Sequence, residues 1–154
     1  MDTIKRFLIL LTLGVFITNE LSAQTAEDSV KTVINNLFNA MKASDSVLLI
    51  STFSDSAILQ TIIKTKAGKI IVKNESVGEF AGFIKTQKAN ALDERIVFDV
   101  VKTDDDLAIA WTPYSFYFNG TFSHCGVNSF QLVRTEKGWK IQYLIDTRRR
   151  TGCK

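Results

Sequence analysis

The chain has one histidine, one proline and two cysteines in 154 residues. Each shortage removes a class of function. A lone histidine, with no CxxC pair and no Cys/His cluster, leaves little for a zinc site, so neither a metal nor another cofactor is expected. Cys125 and Cys153 cannot form a dense disulfide framework, and a core of about 130 mature residues should not need one. They can still pair with each other if the C-terminal tail folds back. The net charge is only +3. The single basic run, Arg148 to Arg150, lies in the tail, and no Lys/Arg strip is interleaved with aromatics. Nucleic acid is therefore not an expected partner. No repeat, low-complexity segment or linker divides the chain, and its length suits one domain.

Long apolar runs are scarce too. One stands out, Phe7 to Ile17, preceded by Lys5 and Arg6 and followed by the small residues Ser22 and Ala23. That is the pattern of a secretory signal, residues 1–23. The run is too short to span a bilayer comfortably. Gln24 stands where a lipoprotein would need cysteine. The expectation is an exported protein, periplasmic or secreted, cleaved near Ala23/Gln24. Residues 24–154 would then form a single domain, with no membrane association after cleavage.

What is present reads as helices followed by strands. In "TAEDSVKTVINNLFNAMKASD", Val30, Val33, Ile34, Leu37, Phe38 and Met41 recur at helical spacing. Ser44 and Asp45 offer a cap for a short second helix, "SVLLIS". β-Branched residues then dominate, and Lys66-Ala67-Gly68 predicts a hairpin of Ala57–Lys64 against Lys69–Lys73. Ser76 caps a third helical stripe made by Val77, Phe80, Ala81 and Ile84. The remainder predicts a meander of long strands, with turns at Asp104-Asp105, Asn119-Gly120 and Glu136-Lys137-Gly138. Asn119-Gly120 is the strongest, because a type I′ turn needs positive φ at both central residues.

Turns fix which residues share a face of a sheet. With two-residue turns at the first two sites and Arg134 paired with Trp139, one face collects Ile96, Phe98, Val100, Leu107, Ile109, Trp111, Ser115, Tyr117, Phe122, His124, Asn128, Phe130, Leu132, Trp139, Ile141, Tyr143 and Ile145. This is the expected core face. It puts His124 opposite Ser115 and Asn128 opposite Trp111. Either these polar groups satisfy one another, or they line a cavity. The other face carries Val97, Val101, Ala108, Ala110, Tyr114, Phe116, Phe118, Cys125, Val127, Val133 and Leu144. A patch this apolar predicts a homodimer through the outer sheet face. Asp99 and Asp146 fall on the outer face, unless a bulge near Ile145 turns Asp146 inward.

The helix "VKTVINNLFNAMKASD", the strand "DDLAIAWTPYSFYF" and the ending "FQLVRTEKGWKIQYLID" together resemble the nuclear-transport-factor-2-like superfamily, which includes SnoaL-like polyketide cyclases and ketosteroid isomerases. The chain looks closest to an exported bacterial branch described as lumazine-binding. The resemblance implies an α+β fold: a cone-shaped, strongly curved antiparallel sheet wrapped around N-terminal helices, with a largely apolar cavity inside. It also implies dimerisation through the sheet. It does not imply an activity, because the superfamily hosts both enzymes and binding modules. The tyrosine and aspartate arrangement of ketosteroid isomerases has no matching positions here.

Three functions follow as expectations. The first is an exported binding module for a small apolar or aromatic ligand, with Trp111, Tyr117, His124, Asn128 and Tyr143 lining the pocket. The second is a SnoaL-like enzyme, an isomerase, dehydratase or cyclase, with His124 as acid/base. The third is a structural dimer with a filled core. A Cys125–His124 nucleophile pair is disfavoured, because neighbours on a strand point to opposite faces.

Overall fold

The computed structural model describes residues 25–153; the expected signal segment lies outside the described residues. Residues 25–43 are helical (α1). Val30, Ile34, Leu37 and Met41 are buried along one side, as their spacing predicts. Ser44 adopts positive φ where α1 ends. Asp45 then accepts hydrogen bonds from the Val47 and Leu48 backbone amides and starts α2 (Ser46–Ser51). The third helix, α3 (Val77–Lys85), begins at a reciprocal capping box between Ser76 and Glu79.

Seven strands follow from the β-rich segments: β1 (Phe53–Lys64), β2 (Ile70–Glu75), β3 (Leu92–Ile96), β4 (Val100–Asp104), β5 (Leu107–Phe118), β6 (Thr121–Thr135) and β7 (Gly138–Arg149). They form one open sheet in the order β2-β1-β7-β6-β5-β3, with β4 also paired to β5. The sheet is mixed, not wholly antiparallel as expected, because β1 runs parallel to β7. Residues 97–99 interrupt what reads as one strand into β3 and β4, and both pieces pair with β5. The helices cover one face. Phe38 of α1 meets Phe130 of β6 edge to face, with ring centroids 6.2 Å apart.

The turns behave largely as the sequence predicts. Asn119 and Gly120 both have positive φ, and Arg134 pairs with Trp139. The β4–β5 turn falls at Asp105-Asp106, one residue later than expected, with Asp104 opposite Leu107. The faces differ from expectation because of two bulges. On β6, Tyr117 pairs with Phe122 but Phe116 pairs with His124, leaving Ser123 as the extra residue. On β7, Leu132 pairs with Ile141 but Gln131 pairs with Tyr143, leaving Gln142 as the extra one. One inserted residue moves every later side chain to the other face.

Val101, Ala108, Ala110, Thr112 and Tyr114 therefore sit inside, with Phe116 and Leu144 packed against the core. Leu107, Ile109 and Trp111, expected in the core, are 50%, 44% and 46% exposed. Phe130, Leu132, Trp139 and Ile141 are buried as the register predicts. The outer face is still apolar, but its composition has changed.

Candidate functional site

A narrow cleft of about 70 Å³ lies between α1, α3 and the inner face of the sheet. Its apolar wall comes from both helices, chiefly Phe38, Met41 and Phe80, with Leu59 and Leu144 from the sheet. Its polar wall comes from five strands: Gln60 and Thr61 of β1, Glu75 of β2, Glu94 of β3, Asn128 of β6, and Asp146 and Arg148 of β7. A larger open groove of about 650 Å³ runs beside the described start of α1, past Arg134, Lys137 and Lys140. It lacks the converging buried polar groups of the cleft.

The polar wall is a connected set of hydrogen bonds. Asn128 is only 4% exposed, and its Nδ2 donates to Glu94 Oε1 at 2.8 Å. Arg148 Nε donates to Asp146 Oδ2 at 2.8 Å. The Tyr114 hydroxyl donates to the same Asp146 oxygen at 3.1 Å and lies 3.0 Å from the Thr147 carbonyl. Arg148 Nη2 reaches Thr61 Oγ1 at 3.3 Å. Gly126 makes room for the tyrosine. A Cβ there would lie 1.8 Å from the Thr147 carbonyl oxygen and 2.7 Å from the Tyr114 ring.

Burial shifts the titrations. It raises the Glu94 carboxyl to about 7; the Asn128 hydrogen bond works against this, and the Asp146 charge adds to it. Tyr114 is held well above the ordinary tyrosine range by burial and by the charges of Asp146 and Glu94. Burial opposes the Arg148 charge, but Asp146 more than compensates and holds the guanidinium proton tighter than usual.

Of the sequence-predicted residues, the cleft holds Asn128 alone. His124 is on the inner face but outside the cleft lining. It packs against Tyr114 and Phe116, with ring centroids 5.8 and 4.9 Å away, and its Nδ1 lies 3.1 Å from Ser123 Oγ. No carboxylate hydrogen-bonds to it among the described residues. Burial and the Arg148 charge hold its pKa below the usual imidazole value.

Trp111, Tyr117 and Tyr143 lie on the outer face. Trp111 and Tyr117 are there because the Ser123 bulge reverses β5 against β6, and Tyr143 because the Gln142 bulge reverses the end of β7. Tyr117 lies under Arg95, 4.2 Å from ring centroid to guanidinium, and the Tyr143 hydroxyl bonds Gln60 Oε1 at 2.6 Å. The second bulge also turns Asp146 inward, at Gln142 instead of near Ile145. Glu94 was not singled out by the sequence, although it lies two residues before Ile96 and so on the same face of an alternating strand. Cys125 and Cys153 form a disulfide, and Cys125 pairs opposite Arg149.

Among the described residues no helix is long and apolar enough to cross a membrane, and no His/Cys/Asp/Glu group could hold a metal ion. No family model and no curated protein matches the chain. Solved structures do. An NTF2-like protein with a cystatin-like fold from Novosphingobium aromaticivorans is similar at 15% identity and a TM-score of 0.67, over 86% of this chain and 87% of that one. A cystatin-like domain of unknown function from Nostoc punctiforme matches at 17% identity and 0.64, over 83% and 80%. An NTF2-like protein of unknown function from Shewanella baltica matches at 13% and 0.62, over 80% and 94%. At such identities the likeness is one of fold, and this chain has the NTF2-like, cystatin-like α+β fold that its sequence resembles.

Proposed function

We propose that this is an exported small-molecule-binding protein whose site is the cleft lined by Glu94, Asn128, Asp146 and Arg148. The observation that carries the reading is their convergence, from three strands, on a cavity with an apolar opposite wall. The ligand differs from the sequence-based expectation. It is small and at least partly polar, because the aromatic side chains expected to stack on it lie outside. Export is supported by the signal-like residues 1–23 and by the Cys125–Cys153 disulfide, which persists in oxidising compartments. The lumazine-binding branch stays an expectation from the resemblance alone. The test is a fragment screen followed by amide chemical shifts: saturable shifts centred on Asn128 are expected. Shifts confined to the groove beside Arg134 would move the site.

A second reading is supported by one specific observation. A carboxyl held at about 7 in a cleft is suited to take or give a proton near neutral pH. On that reading the acid/base of a SnoaL-like enzyme is Glu94, replacing His124. The Glu94→Gln change separates the two. A binding module keeps much of its affinity for a neutral ligand, whereas an enzyme loses turnover while still binding substrate.

The outer face supports a homodimer. Val97, Val100, Leu107, Ile109 and Trp111 are exposed together around the β4–β5 edge. Light scattering of the mature protein should give twice the chain mass, and Trp111→Lys should give the monomer. A clean monomer at micromolar concentration for the unsubstituted protein would end the dimer reading.

A further inference from the structure

The sheet ends on two edges of different character. At the β3 end the edge strand is short and charged. Asp93 there is held by Lys42 of α1 and by Arg95, and residues 97–99 interrupt the line between β3 and β4. Short, charged and broken edges resist pairing with another chain. The β2 edge is unbroken. β2 pairs with β1 alone, in continuous register from Ile70 to Glu75, without proline, glycine or bulge. Its Ile70 and Val72 are 58% and 52% exposed.

The ladder decides which backbone groups of β2 are free. The Thr65 N–H donates to the Lys69 carbonyl at 2.9 Å. Antiparallel ladder bonds recur at every second residue, so Ile71, Lys73 and Glu75 bond β1. The N–H and C=O groups of Ile70, Val72 and Asn74 therefore point away from the sheet. They are a template for one more antiparallel strand.

The strand that fits is a second copy of β2. With a two-fold axis at Val72, Val72 faces Val72 and Ile70 faces Asn74. All of these residues point their backbone groups outward, which allows roughly six new backbone hydrogen bonds. The same register sets Lys69 opposite Glu75 on both sides of the axis, at the closely spaced positions between bonded pairs. Neither side chain has an ion-pair partner among the described residues. Other registers are worse. An axis at Ile71 opposes Lys69 to Lys73, and one at Lys73 opposes that lysine to itself. An axis at Ile70 or Asn74 runs the pairing into the turn before Lys69 or into the Ser76 cap of α3.

From these observations we propose that two copies of the chain join β2 to β2 about Val72 and make one continuous sheet. The pairing brings the second copy's Lys69 to Glu75, a residue of the cleft lining, and so puts a cation at the cleft rim that one chain lacks. This surface is separate from the outer-face patch around β4 and β5, and the two contacts do not depend on each other. One strand pair buries less than the roughly 1,200 Å² at the low end of stable complexes, so the contact is weak and forms at concentrations on the order of 100 µM and above.

The experiment follows the backbone amides of the mature, disulfide-bonded Trp111→Lys protein, which lacks the outer-face contact, from about 50 µM to 1 mM. Expected are concentration-dependent shifts of the Ile70, Val72 and Asn74 amides, with Ile71 and Lys73 moving little. Val72→Pro removes the central outward donor and no bond to β1, and should abolish the shifts at Ile70 and Asn74. Lys69→Glu and Glu75→Lys should each weaken self-association about tenfold, because like charges then face each other. An equal mixture of those two variants should restore it, since every facing pair is again of opposite charge. The charge exchange decides alone if Val72→Pro folds poorly. No concentration dependence at these amides would overturn the proposal and leave the edge to a different partner. Shifts that survive Val72→Pro, or a mixture that associates no better than either variant alone, would put the contact elsewhere or in another register and overturn it too.

Discussion

Glu94→Gln should stabilise the folded protein in a strongly pH-dependent way. The glutamate is partly buried on β3, accepts from Asn128, and faces Asp146, whose charge opposes its own. Burial makes the folded state hold the Glu94 proton at about 7, against an ordinary value of 4.5. The folded chain thus binds more protons than the unfolded chain between those values. Its stability contribution is present below the ordinary value and is lost as pH rises through about 7. At about 1.4 kcal/mol per decade of proton affinity, the full loss above neutrality is roughly 2–3 kcal/mol, allowing for solvent in the cleft. Glutamine keeps the acceptor for Asn128 and never ionises. Urea denaturation of both proteins should therefore show a gap below about 1 kcal/mol near pH 5 that widens to roughly 2–3 kcal/mol near pH 8. His124, whose lowered pKa gives the opposite slope, titrates in both proteins and drops out of the difference. A gap that is the same at both pH values would refute a buried, proton-holding Glu94, and with it the acid/base reading of the cleft.

Three further outcomes follow from packing. Gly126→Ala puts a methyl group 1.8 Å from a backbone oxygen and into the Tyr114 ring; it should cost about 1–3 kcal/mol or more in urea denaturation, and a loss under about 0.5 kcal/mol would mean the strands are free to part. Reducing the Cys125–Cys153 bond, which spans 28 residues, should cost roughly 3.5 kcal/mol by chain-entropy reasoning; equal denaturation midpoints for oxidised protein and the Cys153→Ser variant would show that the tail carries no constraint. Phe130→Ala empties a fully buried site beneath Phe38 and should cost about 3–5 kcal/mol, a value that calorimetry or urea denaturation can check.

Features decided by neighbouring residues were legible in the sequence. The buried stripe of α1, the caps at Asp45 and Ser76, the Asn119-Gly120 turn and the Arg134–Trp139 pairing each rest on a few adjacent side chains whose chemistry has one good solution. The bulges were not. Neither Ser123 nor Gln142 is a glycine or carries another mark of irregular backbone, and what places an extra residue there is how the curved sheet must close over the helices, a global demand. A single unseen residue was enough to reverse β5. It turned Leu107, Ile109 and Trp111 outward and brought Ala108, Ala110, Thr112 and Tyr114 in.

The consequence for the site is more than a relabelling. Without the bulge at Ser123, Tyr114 would point away from Asn128 and Gly126. Without the bulge at Gln142, Asp146 and Arg148 would face out. Both irregularities are needed before Tyr114 can reach Asp146 and before Asp146 can bear on Glu94. Regular strands of this sequence would have an ordinary apolar inner face, with His124 and Asn128 as its polar interruptions, which is the face expected from the turns. Buried charge is expensive, and the sheet departs from regular pairing at the two places that bring it inside. The polar cleft is thus a product of the bulges. The clue that was available in the sequence lay in Gly126, a strand-interior glycine with no turn to serve, which marks a close approach by another group. Here that group is the Tyr114 ring, which crosses Gly126 to reach Asp146.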